Sequence, residues 1–103
     1  MLKLLDGPAQ GDYRAKGAPV YLRAVMNDNG DRNVLALAQD RPFPDDVIWV
    51  YKRQGEVGAV HLDSGYGWPS GLYATAVYRY LSDVDGEELR HAATWSDWCI
   101  AQS

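Results

Sequence analysis

The sequence predicts an α+β fold, a mostly antiparallel β roll or small barrel with one C-terminal helix. Three observations carry this. Short runs rich in Val, Tyr, Leu and Ile alternate with clusters of Gly, Pro, Asn and Asp through residue 81, which is the punctuation of successive hairpins. From residue 86 to about 101 the chain holds good helix formers and no proline. The length of 103 residues matches one domain, 1–103, with one modest core.

The elements follow in order. Leu2 to Leu5 reads as a first strand, and Asp6-Gly7-Pro8 and Gln10-Gly11-Asp12 as turns, since Gly supplies positive φ and Asp bonds its own backbone. Tyr13 to Lys16 can pair back on the first strand. Val20 to Met26 is a better strand, with Val20, Leu22, Ala24 and Met26 on one face and Tyr21, Arg23 and Val25 on the other. Asn29-Gly30 is the favoured pair for a type I′ hairpin turn. Val34 to Leu37 follows, then a loop over 38–46 in which Pro42 and Pro44 hold Phe43 extended. Val47 to Tyr51 is apolar on both faces, as a central strand is. Gly55 predicts a tight turn into Val57 to Leu62. A glycine-rich loop then leads to the longest strand, Leu72 to Leu81. This gives about seven short strands. Asp85, with Glu88 three residues later, reads as a capping box that starts the helix at about residue 85.

Composition bounds the function. The net charge of −4 and the scatter of the ten basic residues argue against nucleic-acid binding, which needs clustered cations against phosphate. No apolar run approaches membrane-spanning length, and Met1 to Leu5 is too short for the core of a signal peptide. The lone Cys99 precludes an intrachain disulfide and fits a reducing cytoplasm. Four Trp and seven Tyr against one Phe is an unusual balance. Both residue types join an apolar body to a polar handle and are favoured at interfaces.

No pattern in the chain specifies catalysis or a cofactor. His61 and Asp63 would share a strand face, and with His91 and Cys99 they supply the residue types of a zinc site, yet at no ligand spacing that zinc proteins use. On a straight helix His91 and Cys99 stand about 80° and about 12 Å apart, too far for a catalytic dyad. None of Ser64, Ser70, Ser82 and Ser96 sits in a nucleophile elbow. Gly65-x-Gly67 lacks the lysine and helix start of a phosphate loop. The expectation is a non-enzyme without metal or cofactor.

Leu4-Leu5-Asp6-Gly7-Pro8-Ala9-Gln10-Gly11-Asp12-Tyr13, followed by Ala18-Pro19-Val20-Tyr21-Leu22-Arg23-Ala24-Val25, resembles small uncharacterised proteins of actinobacteria and their phages. The resemblance covers about the first half of the chain and implies no particular activity. The opening is also similar to the first hairpin of phosphopeptide-binding forkhead-associated domains. The chain lacks that family's glycine-arginine, serine, asparagine and histidine signature.

The resulting expectation is a small non-catalytic protein-binding or regulatory module, a phage protein acting on a host or virion partner. The alternative is a structural head or tail accessory protein. The partner is a protein, with a second copy of the chain as one option. Two surfaces are candidates. Tyr66 and Trp68 sit in the glycine-rich loop, either as a contact surface or as a lid on the core. On the helix, Leu89, Ala92, Ala93, Ser96, Cys99 and Ile100 share an arc of about 120° that suits a sheet. His91 and Trp98 lie almost opposite that arc, with Trp95 at its flank, as a second contact surface.

Overall fold

A computed structural model describes residues 1–37, 40–65 and 67–94. Six strands form one sheet: β1 (Leu2–Leu4), β2 (Gly11–Tyr13), β3 (Tyr21–Met26), β4 (Arg32–Leu35), β5 (Val47–Leu62) and β6 (Gly71–Tyr80). A 3₁₀ turn (Asp83–Asp85) leads into helix α1 (Gly86–Thr94). The strand order is β2-β1-β6-β5-β3-β4, and the sheet curls into a half-barrel. All pairs are antiparallel except β1 with β6, which run parallel with Leu2 opposite Ala76. The predicted α+β roll with one C-terminal helix is therefore the observed architecture.

Alternation sorts the side chains into two cores. Leu22, Ala24, Tyr51, Ala74, Ala76 and Tyr78 pack with Leu2, Leu4, Ala9, Ala15 and Val34 inside the curl. On the other face Tyr21 and Leu81 pack with Ala92 of α1, flanked by Val20, Val50 and Leu89. The helix thus presents the predicted small-residue arc to the sheet, as far as it is described. Residues 21 to 25 of β3 are buried on both faces, including Arg23, whose guanidinium donates to the Asp40 carbonyl at 3.0 Å.

Five local expectations are corrected. Gly11 and Asp12, read as a turn, pair with Leu4 and Lys3 and begin β2, which ends at Tyr13. Gly55 does not turn the chain. Its φ of +76° lies within β5, which continues for 16 residues, so there are six strands rather than seven. Gln54 pairs with Val77 and Gly58 with Thr75, so Gly55, Glu56 and Val57 bulge opposite Ala76. A left-handed glycine serves a bulge as readily as a turn, and β6 is long enough to pair with both halves.

The β3–β4 hairpin is also different. Gly30 donates its N–H to the Asn27 carbonyl, so Asp28 and Asn29 are the central residues and Gly30 takes the left-handed position after them. The Asn27 side chain accepts the N–H groups of Asn29 and Asp31, which favours this three-residue loop over the type I′ turn.

The cap is Ser82 with Asp85, one turn earlier than Asp85 with Glu88. The Asp85 carboxylate accepts the Ser82 N–H at 3.0 Å. Glu88 is drawn away to the sheet, where it accepts from Tyr21 Oη and Lys52 Nζ, each at 2.7 Å. Lastly, Val47 and Ile48 of the apolar run in β5 are exposed, although β5 is central. Only its later part, from Trp49 through Tyr51, joins the cores.

Candidate functional site

The curl brings the sheet's two outer edges near each other. Residues 14–17, which continue β2, face residues 33–37, which begin in β4. At one end a Cβ on Gly17 would meet the Ala36 carbonyl at 3.2 Å, and at the other Arg32 Nη1 donates to the Pro8 carbonyl at 2.8 Å. Between these ends lies a cleft of about 280 Å³. Its floor is apolar, from Ala15, Val34, Ala36 and Leu37, and its rim carries Arg14, Lys16, Asp40, Arg41 and Trp68.

Tyr73 of β6 organises the rim. The buried ring lies 3.9 Å from Lys16 Nζ and 5.4 Å from the Arg14 guanidinium carbon. Aromatic faces attract cations. Arg14 and Lys16 are two residues apart and flank Ala15, which turns inward to the core while accepting the Ala74 N–H at 2.9 Å. Arg14 donates to the Asp63 carbonyl at 2.9 Å and Lys16 to the Leu72 carbonyl at 3.1 Å. These bonds fix both ends of the glycine-rich loop. Trp68 sits edge-on to Tyr73 with ring centroids 5.8 Å apart, and the Tyr73 hydroxyl donates to the Pro69 carbonyl. Gly65 and Trp68 exchange both backbone hydrogen bonds. The loop is therefore anchored by Trp68, a residue that is still 37 % exposed.

The β4 edge supplies main-chain polarity. Asn27 and Asp31 form a hydrogen-bonded pair, so the pairs Val25–Asn33 and Arg23–Leu35 are bonded too, and Val34 between them turns its N–H outward. That N–H donates to the Asn33 side chain at 2.8 Å. A strand edge covered by its own asparagine resists chance pairing.

The other candidate residues lie elsewhere. His91 is exposed on α1, away from the cleft-lining residues, and Tyr66, Trp95 and Trp98 lie outside the described residues. His61 is also exposed, and among the described residues no group of three or more His, Cys, Asp or Glu could hold a metal ion. No helix of the described residues is long and apolar enough to cross a membrane. Arg14, Lys16, Arg41 and Tyr73 went unnoticed in the sequence. The i, i+2 spacing of Arg14 and Lys16 on a predicted strand was the one available signal, while Arg41 joins them only through the curl. Comparison with known proteins finds no family model, no curated protein and no solved structure that matches this chain.

Proposed function

We propose that this protein is a small non-catalytic binding module for another protein, and that the cleft face carrying Trp68 is its contact surface. One observation carries the reading: Trp68, Arg14 and Arg41 line one concave site, with Tyr73 buried behind Trp68. Trp, Tyr and Arg are the residue types that dominate binding energy at protein interfaces. Trp68 is pinned from behind by Tyr73 and exposed in front, so a partner meets a ring already ordered, at little entropic cost. Following the resemblance of residues 4–25 to small uncharacterised proteins of actinobacteria and their phages, we take that partner to be a host or virion protein.

Photo-cross-linking tests the reading. A benzoylphenylalanine replacing Trp68 is compared, in extract of the source cell, with one replacing Val84, which is 92 % exposed beside α1. Protein adducts at position 68 and none at position 84 are expected. Equal adducts at both positions, or adducts at 84 alone, would contradict it.

A further inference from the structure

We propose that the cleft recognises an acidic segment of its partner, with an Asp or Glu carboxylate held between Arg14, Lys16 and Arg41. This rests on the binding-module reading and adds the chemistry of what is bound. The chain is acidic overall, at net −4, yet three of its ten basic residues line one small cleft whose lining, among the described residues, holds a single carboxylate, Asp40. The local charge is inverted relative to the molecule. Asp40 Oδ2 accepts the Leu37 N–H at 3.0 Å, so that carboxylate is engaged by its own turn.

Arg14 and Lys16 are held by neutral acceptors. They contact main-chain carbonyls and the Tyr73 ring, and neither forms an ion pair among the described residues. Elsewhere on the sheet Lys52 pairs with Glu88 at 2.7 Å and Arg79 with Asp85 at 3.2 Å, while Arg32 and Arg53 also donate to main-chain carbonyls; Arg14 and Lys16 differ from those two in converging on one cleft. Carbonyls and an aromatic face orient the two cations without neutralising them. An incoming carboxylate adds the attraction of opposite full charges, which a carbonyl or a ring face does not supply. The apolar floor of Ala15, Val34, Ala36 and Leu37 suits the methylene groups of a glutamate or an adjoining aliphatic side chain. A volume of about 280 Å³ admits one or two side chains.

The test uses the full chain and two fluorescein-labelled peptides, Leu-Glu-Glu-Leu-Glu and its counterpart with glutamine at each glutamate, followed by fluorescence anisotropy. The acidic peptide is expected to bind roughly tenfold more tightly than the neutral one, and less tightly as salt rises. Arg41→Gln and the double variant Arg14→Gln/Lys16→Gln should each abolish that preference. Arg14 and Lys16 also hold the glycine-rich loop, whereas Arg41 donates to the Asp40 carbonyl at 3.2 Å next to it in the chain, so Arg41→Gln separates lost charge from displacement of the glycine-rich loop. Equal binding of both peptides would overturn the acidic preference while leaving a binding module. No binding of the acidic peptide, or a preference unchanged in Arg41→Gln, would overturn the proposal whatever the cross-linking at position 68 shows.

Discussion

Tyr51 holds the first loop to the core through one hydroxyl. That oxygen donates to the Asp6 carbonyl at 2.8 Å and accepts the Ala9 N–H at 2.9 Å, while the ring is fully buried. Tyr51→Phe keeps the packing and strands a buried N–H and a carbonyl. It should destabilise the chain by about 2 kcal/mol in urea unfolding, with the denaturant slope unchanged. Gly7, in the same loop, has φ of +77°, and a Cβ there would lie 2.6 Å from Tyr80 Cβ and 2.7 Å from Tyr51 Oη. Gly7→Ala combines about 1–2 kcal/mol of left-handed backbone cost with about 1–3 kcal/mol of overpacking. It should therefore be the more damaging change in the same assay. The turn at Gly7 was legible from Asp6-Gly7-Pro8. The Tyr51 contact was not, because it joins residues more than forty apart.

At the scale of elements, α1 is clamped to the sheet by Glu88, which bridges Tyr21 and Lys52. Its carboxyl pKa lies below the usual 4.5, first because Lys52 donates to it and then because Tyr21 does. A carboxyl depressed on folding contributes stability above its unfolded value, and that stability is lost as pH falls through the folded value. Hydrogen exchange at Leu89 and Ala92 should therefore quicken as pH falls below about 4.5, after correction for intrinsic rates. Glu88→Gln should show weaker protection at neutral pH and lose that step. On the alkaline side the bond to Glu88, with burial second, raises the Tyr21 phenol to about 12. That contribution is present below the ordinary value of 10.0 and lost as pH rises through about 12. Strand and helix identities were readable because period and punctuation are local. Gly55 and Asp85 misled because a left-handed glycine fits a turn or a bulge, and because Glu88 had a stronger partner across the sheet than at the helix start.

For the whole molecule, the decisive contact is the parallel pairing of β1 with β6, which joins residues 74 apart and places the β2 extension opposite β4. No local pattern announces such a pairing, so the cleft it creates was invisible in the sequence, although Trp68 on its rim was not. Trp68→Ala removes an edge-to-face ring contact and the burial of a residue that is 37 % exposed. It should lower stability by about 2–3 kcal/mol, read from the melting temperature, while sharply reducing partner capture. On the proposed reading a partner touches the cleft rather than the helix face around His91. Hydrogen-exchange mass spectrometry of the free chain and of its complex with the captured partner compares the two surfaces directly. New protection is expected in 14–17, 33–37 and 63–71 with 86–94 unchanged; protection confined to 86–94, with 14–17 and 33–37 unchanged, would place the partner on the helix instead.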